Sequence, residues 1–239
     1  MRSELRKLTV LPTPRWTLFA VVLAAGIAAG VVAFTGPGDD SLALNLGVGL
    51  PTWIASLAIG VWMTGLEYGQ KTMRRTISRN PNRLNLIATK LAVALLATTA
   101  LTVIATVVAA PLLALAASGS DSGIPVGDTF RFGLGMLMTN FVYTMVGFSL
   151  GLATRSMAGG MTIALAFFFV FDGALKAIPK AGDFMLSSVN VEIFQKIVGT
   201  ELAGTDVEVH LVQAILVSAV WVAAFVGLSS FRFLRSDID

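Results

Sequence analysis

Hydrophobic residues in this chain gather into blocks of about 20, and shorter polar stretches separate the blocks. A helix of about 20 apolar residues crosses the hydrocarbon core of a bilayer, so the pattern predicts membrane-spanning helices. Six spans are predicted, at residues 16–35, 42–66, 86–110, 129–153, 157–171 and 207–231. The predicted fold is therefore all-α, a polytopic membrane protein in which residues 1–239 form a single transmembrane domain.

Shorter elements are predicted between the spans. Residues 1–15 carry cations among leucines, which indicates either an N-terminal interfacial helix or a plain polar tail. Within residues 67–90 the sequence predicts a helix as far as Arg79 and a break at Asn80-Pro81-Asn82. A second helix is predicted to follow and to continue into the third span. The first span contains Gly26-x-x-x-Gly30, a spacing that would let another helix approach closely but is common by chance in spans rich in glycine and alanine. The fourth span contains Gly147-x-x-x-Gly151.

The stretch 172–206 is neither a span nor a plain loop. Two short helices are predicted before the last span, at residues 173–178 and 190–198. They either pack on the outer leaflet or re-enter it. A Glu192–Lys196 pair has the i,i+4 spacing of a helix, and Gly199 is a natural helix stop. Asp128 or Thr129 is predicted to cap the fourth span.

Composition supports the membrane class. The chain is 55% hydrophobic and 13% charged, with a mean hydropathy of +0.80, whereas a soluble domain carries roughly 25% charged residues. There is no cysteine, which excludes disulfides, thiolate metal sites and thiol nucleophiles.

The distribution of charge predicts the orientation. Of the 17 Lys and Arg residues, 13 lie in the N-terminal stretch, in residues 67–90, at Arg155 or in the C-terminal stretch, together with 4 of the 14 acidic residues. Cytoplasmic loops are enriched in cations, so both termini and residues 67–90 are predicted to lie in the cytoplasm, with the chain in a cell membrane. Six spans agree with two termini on the same side.

The sequence offers little catalytic chemistry. His210 is the only histidine, and residues 65–72 miss the phosphate-loop pattern because Gln70 replaces its second glycine. We therefore expect no catalytic or metal-ligating residues, no cofactor bound by this chain, no enzyme activity of its own and no binding of nucleic acid.

Four residues are candidates for a substrate pathway, and each has a plainer interpretation. Asn45 and Asn140 are polar groups in or near spans, where an amide also forms hydrogen bonds between helices. Phe168 belongs to an aromatic run that is equally typical of packed or lipid-facing bulk. Asp172 could contact a polar substrate or ion, or be a simple helix-end carboxylate.

Residues 67–90 contain six cations and one acid, and they are longer than two helices need for a connection. They are either a solvated loop that only sets topology or a docking surface for a soluble partner. The candidate docking residues are Glu67, Tyr68, Thr72, Met73, Arg74, Arg75, Ile77, Arg79, Pro81 and Arg83.

One pattern in this region resembles a known family. A span ends in Glu67, followed by Gly69-x-x-Thr72, by Arg79-Asn80-Pro81-x-Arg83 and by Ala88-x-Lys90 at the start of the next span. This resembles the permeases of type-2 ABC exporters, in which E-x-x-x-G-T is followed by P-x-R and a lysine. Six spans, an interfacial N-terminus and short outer helices before the last span resemble that family too.

The resemblance implies a bacterial permease that works as a dimer with an identical or related permease. Two ATP-binding cassette subunits, which bind ATP and Mg, would dock on a coupling helix within residues 67–90 and drive export from the cytoplasm or inner leaflet. Glu67 would pair with a base near the membrane face. Arg74, Arg75, Arg79 and Arg83 would face the cassette subunit or lipid phosphates.

The alternative is a secondary transporter or channel that works alone. Such a protein is expected to hold ionisable groups at mid-membrane and to contain inverted repeats. The predicted spans contain few ionisable groups and show no clear repeat. The substrate class stays open.

Overall fold

The computed structural model describes residues 19, 23, 26, 27, 49–70, 82–117, 126–176, 178, 181–199 and 211–235, and all regular structure among them is helical. The helices are numbered here in chain order: α1 is Leu50–Gly69, α2 Arg83–Ala117, α3 Val126–Thr154, α4 Met157–Ala166, α5 Gly173–Lys176, α6 Leu186–Val198 and α7 Leu211–Arg235. A π-helical turn, Phe167–Asp172, joins α4 to α5, and a short 3₁₀ turn, Gly182–Phe184, precedes α6.

Four helical stretches in the described part are long and apolar enough to cross a membrane. They are Arg83–Val108, Phe130–Thr154, Met157–Lys176 and Leu211–Arg235. The fold is therefore compatible with a membrane protein, as the hydropathy pattern predicts. They correspond to the predicted third, fourth, fifth and sixth spans.

The predicted second span, residues 42–66, is described from residue 49 onward and contains most of α1, which is not among those four. In α1, Thr52, Ser56, Thr64 and Glu67 are all buried inside the bundle. The hydroxyls of Thr52 and Ser56 donate to the carbonyls of Gly49 and Thr52, each 2.8 Å away, so they need no outside partner. The predicted first span and N-terminal helix lie almost wholly outside the described residues. Four residues of the first span are described, and all are helical: Phe19, Leu23, Gly26 and Ile27.

Some predicted boundaries differ from the structure. Helix α1 ends at Gly69, so Glu67 lies in its last turn, and residues 71–81 of the helix and break predicted there lie outside the described part. Helix α3 begins at Val126, ahead of the apolar span Phe130–Thr154, so Asp128 and Thr129 lie inside the helix and not at its N-cap. Residues 173–176 continue the fifth span through the π turn and do not form a separate outer helix.

Helix α6 begins at Leu186, four residues before its predicted start. It ends as predicted at Gly199, whose left-handed φ of 79° suits glycine. The predicted pair is also present, since the Lys196 ammonium lies 3.5 Å from the Glu192 carboxylate. The helix is not peripheral, because Leu186, Val189 and Ile193 are buried in the main hydrophobic cluster of the bundle.

Glycines bring α1 and α3 into backbone contact. A Cβ atom on Gly60 would lie 2.2 Å from the Thr144 carbonyl oxygen, and one on Gly147 would lie 2.2 Å from the Leu57 carbonyl oxygen. Gly151 meets Val61 and Thr64 in the same way. Because contacts advance together along both helices, α1 and α3 run parallel. The Gly147-x-x-x-Gly151 spacing therefore serves a close approach, whereas a Cβ atom on Gly26, the described glycine of the first-span pattern, would meet nothing within 4 Å.

Helix α2 is joined to α3 by polar side chains. The hydroxyls of Thr98 and Thr144 lie 2.6 Å apart, and the Asn140 amide donates to the Thr102 hydroxyl at 3.0 Å. All four side chains are buried. Hydrogen bonds of this kind hold helices together in a bilayer. Burial of apolar surface does not do so, because a lipid tail is as apolar as a neighbouring helix.

The α1–α3 approach makes a prediction about stability. Gly147→Ala places a methyl group against the Leu57 backbone, so we expect a loss of about 1–3 kcal/mol in the free energy of unfolding, the usual penalty of overpacking. The measurement is denaturation of the purified protein in mixed micelles.

Gly227→Ala is the matched control, since a Cβ atom there meets nothing within 4 Å. Alanine favours a helix over glycine by about 0.5–1 kcal/mol, so this variant is expected to be slightly more stable. Equal effects of the two substitutions would contradict the close approach.

Candidate functional site

The first candidate site is a buried ion pair at one end of the bundle. The Lys90 ammonium on α2 lies 2.7 Å from the Glu67 carboxylate on α1, and the two side chains are only 3% and 4% exposed. These residues bracket the cationic segment 67–90, so the pair ties together the two helices that the segment connects. The expectation that Glu67 meets a base is in accord with this geometry.

Arg83, at the start of α2, binds the far end of the last helix. Its guanidinium donates to the carbonyl oxygens of Phe233 and Leu234 at 3.3 and 3.2 Å. Those carbonyls belong to the last turn of α7, where the helix has no donors of its own and the macrodipole attracts a cation. Arg83 therefore ties the start of α2 to the end of α7; the contact with a cassette subunit or lipid phosphates that the resemblance implies for it stays a prediction.

A third contact joins α1 to the turn between α3 and α4. The Arg155 guanidinium lies 6.0 Å from the centre of the Tyr68 ring, within the range of a cation–π interaction. Arg155 has a φ of 53°, a left-handed conformation that is uncommon for a residue with a side chain. Burial raises the pKa of the Tyr68 phenol, and the nearby Arg155 charge lowers it in part.

We call Glu67, Tyr68, Arg83, Lys90 and Arg155 the basal clamp. Together they link α1, α2, α7 and the α3–α4 turn at one end of the bundle. The charge distribution predicts that these same regions share one side of the membrane, and the described residues do lie at one end. The other candidate docking residues lie outside the described part: Thr72, Met73, Arg74, Arg75, Ile77, Arg79 and Pro81.

The second candidate site lies around Asp172, at the end of the π turn. The carboxylate is 1% exposed and accepts hydrogen bonds from the backbone N–H and the hydroxyl of Ser187. Ser187 is in the first turn of α6, whose N-cap residue Met185 provides no side-chain acceptor. Asp172 therefore caps α6 from another helix, with Lys176 3.8 Å away as its counter-ion.

Aromatic rings line the inner side of the π turn. Trp53 of α1 stacks on Tyr143 of α3 with ring centres 5.0 Å apart, and Phe168 contacts both at 5.8 and 4.9 Å. Phe168 is 8% exposed, whereas Phe169 and Phe171 are 60% and 49% exposed. The geometry agrees with the packing interpretation of Phe168, and its neighbours point to the outside of the bundle.

The three polar candidates for a substrate pathway are Asn140, Asp172 and Asn45, and the structure describes two of them. Asn140 makes the hydrogen bond to α2 that its plainer interpretation predicts. Asp172 stabilises a helix end, which is also its plainer interpretation. Asn45 lies outside the described residues. Within the described ranges no group of three or more His, Asp or Glu residues is placed to hold a metal ion.

Sequence reasoning missed Ser187, Trp53 and Tyr143. For Ser187 one signal existed, because a helix that starts after Met185 lacks a capping side chain and needs an acceptor from elsewhere. Trp53 and Tyr143 carry no signal that distinguishes them from other aromatic residues in a span. Comparisons with protein-family models, with curated proteins and with solved structures gave no match to this chain.

The buried ion pair predicts a double-mutant result. Lys90→Met leaves the Glu67 carboxylate in an apolar interior, and we expect a loss of about 3–5 kcal/mol in the free energy of unfolding. Glu67→Met combined with Lys90→Met removes both charges, so the double variant is expected to be clearly more stable than either single variant. Denaturation in mixed micelles measures all three.

Arg232→Met is the control. This cation is exposed at the same end of the bundle, on α7, so its loss is expected to cost less than about 1 kcal/mol. A loss for Lys90→Met no larger than that for Arg232→Met would contradict a structural role for the pair.

The cap on α6 makes a separate prediction. Asp172→Ala removes the acceptor for the Ser187 N–H, and loss of a helix cap costs about 0.5–2 kcal/mol. We expect faster hydrogen exchange at the first amides of α6, measured by mass spectrometry. Asp172→Asn keeps an acceptor oxygen and should exchange more slowly than Asp172→Ala.

Asp183→Ala removes a carboxylate from the connection that leads into α6. This control is expected to leave exchange in α6 unchanged. Protection of the first turn that survives Asp172→Ala would show that another group caps the helix.

Proposed function

We propose that this chain is the transmembrane permease subunit of an ATP-binding cassette exporter, with residues 67–90 as the segment on which a separate ATPase subunit docks. The observation that carries the proposal is the basal clamp. Residues 71–81 are joined in the chain to α1 and α2, which the Glu67–Lys90 pair holds together, and Arg83 binds α2 to α7. The sequence resemblance described above supports the same assignment.

The proposed transmission starts from the ion pair. Because the Glu67–Lys90 pair is buried and short, α1 and α2 move together when the segment between them moves. Because the backbones of α1 and α3 are in contact at Gly60 and Gly147, α3 follows α1. Closure of two ATP-bound cassette subunits would thus tilt a block of three helices and open a path to the outside.

The assembly that follows has four subunits. A second permease, identical or related, completes the pathway, and two cassette subunits bind ATP and Mg. The permease itself lies in the plasma membrane of a bacterium with both termini in the cytoplasm. The basal clamp is the cytoplasmic end, and the connection that contains α6 lies in the outer half.

The proposal is tested by charge reversal. The chain is co-expressed with the cassette ATPase, and with any second permease, encoded beside it. Arg74→Glu with Arg79→Glu is expected to abolish co-purification and to reduce ATP hydrolysis to that of the cassette subunit alone. Both side chains are cationic members of the proposed docking surface, so an acidic replacement repels what the cations bind.

Arg232→Glu is the control, because it reverses one exposed charge at the same end of the bundle, on α7 and outside the docking segment. It should leave coupling intact. Coupled ATPase activity that persists in the double variant would rule out the docking role.

A stand-alone secondary transporter or channel is the second candidate, and one observation favours it. The described bundle buries more ionisable groups than the hydropathy pattern indicates: Glu67, Lys90, Asp172 and Glu192 are each at most 3% exposed. Buried ionisable residues in a membrane often mark ion pathways. Solute flux by the purified protein in liposomes without ATP, lost in Asp172→Asn, would favour this candidate over the exporter.

A further inference from the structure

Arg155 has a backbone conformation that suits glycine better than arginine. It is the one non-glycine residue with a positive φ in the described part of the chain, at 53°. A left-handed φ costs free energy in a residue with a Cβ atom, and such residues cluster at functional sites. Glycine accepts this conformation without that cost, as Gly199 does at the end of α6. The backbone alone would therefore favour glycine at residue 155.

The turn that contains Arg155 does not depend on the arginine side chain. The Arg155 N–H donates to the Gly151 carbonyl at 3.1 Å, and the Thr154 hydroxyl donates to the Ser156 carbonyl at 3.0 Å. The Ser156 hydroxyl accepts from the Gly159 N–H at 3.2 Å and so caps α4. All of these hydrogen bonds can form with glycine at residue 155.

The arginine side chain instead reaches another helix. Its guanidinium lies 6.0 Å from the centre of the Tyr68 ring, in the last turn of α1. This distance is the outer limit for a cation–π interaction, which at an exposed site is no larger than the cost of a strained backbone. The contact therefore adds little to the stability of the fold.

The contact lies where α1 leads into the segment on which the ATPase subunit is proposed to dock. Tyr68 is the last residue but one of the helix, and its hydroxyl has no hydrogen-bond partner among the described groups. The Gln70 N–H donates to the Leu66 carbonyl at 2.9 Å, which closes the helix. Residues 71–81 follow directly, so whatever holds Tyr68 also fixes the point from which they start.

We propose that Arg155 is a positioning residue, which holds the end of α1 against the α3–α4 turn so that residues 71–81 start from a fixed point. The inference rests on the proposed function, because these residues belong to the proposed docking surface. The Glu67–Lys90 pair holds the same end of α1 to α2. Arg155 restrains it from the α3–α4 turn as well, and this role offsets the cost of the strained backbone.

The first test uses the purified full chain without an ATPase. Arg155→Gly relieves the backbone and removes the guanidinium. The free energy of unfolding in mixed micelles is expected to be no lower than that of the native chain. Amide exchange at residues 66–70 in lipid nanodiscs is expected to be about two- to fivefold faster, the factor that corresponds to loss of an exposed cation–π contact. A purely structural role would not separate these two measurements.

Three further variants control this result. Arg155→Asn tolerates a left-handed φ but has no charge, so it should resemble Arg155→Gly. Arg155→Lys keeps a cation beside the ring and should restore slower exchange. Arg131→Gln removes an exposed cation near the other end of α3 and should leave residues 66–70 unchanged. Native exchange rates in Arg155→Gly, or no rescue by lysine, would overturn the inference.

The second test adds the co-expressed cassette ATPase and compares Arg155→Gly, Tyr68→Leu and the double variant. If Arg155 acts through Tyr68, the double variant should lose no more coupled ATPase activity than the more impaired single variant. Losses that multiply, or full activity in Arg155→Gly, would contradict the positioning role. A native chain that does not bind or stimulate the ATPase would contradict the proposed function, and the exchange rates would still decide whether Arg155 holds α1.

Discussion

The contact between the backbones of α1 and α3 is the constraint on which the rest of the bundle depends. At Gly60, Gly147 and Gly151 no side chain separates the two helices, so their spacing and parallel direction are fixed by main-chain atoms. Helix α3 then holds α2 through threonine and asparagine side chains and α6 through Gly135. Lipid does not drive helices together by hydrophobic burial, which explains why small and polar residues define these contacts.

The two ends of the described bundle are built from different interactions. At the basal clamp, charges hold the helices: a buried ion pair, an arginine on helix carbonyls and an arginine beside a ring. Around Asp172, a carboxylate caps a helix, and aromatic rings pack beneath it. An end held by short charged contacts transmits displacement, whereas an aromatic cluster allows rings to slide, so the proposed lever and the proposed opening fall at the ends suited to each.

The sequence predicted those parts of the fold that depend on one helix at a time. Hydropathy located the spans that became α2, α3, the α4–α5 helix and α7, because each presents apolar residues to its surroundings. It was less informative for α1, whose Thr52, Ser56 and Glu67 are hidden by other helices and lower its hydropathy. The close approach at Gly147 was signalled by spacing, but its partner Gly60 has no such pattern.

The candidate sites were predictable only in part, since they depend on residues far apart in the chain. The family pattern included both Glu67 and Lys90 and implied a base near Glu67, but it did not identify Lys90 as that base. Asp172 was recognised as a possible helix-end carboxylate, yet the helix it caps begins at Leu186, and the N–H it binds, that of Ser187, lies 15 residues later in the chain. The contact of Arg83 with the carbonyls at the end of α7 was not predicted, because the end of a helix 150 residues later in the chain cannot be located from sequence.

The π turn Phe167–Asp172 absorbs one residue of this span. A π turn holds an extra residue relative to an α-helix, and each residue of an α-helix turns the chain by about 100°. Deleting one of the phenylalanines would convert the turn to α-helix with little rotation of Asp172, because the wider turn already compensates for the extra residue. In related chains, a gap of one residue should therefore fall within this stretch, since a gap within α4 would rotate Asp172 away from Ser187.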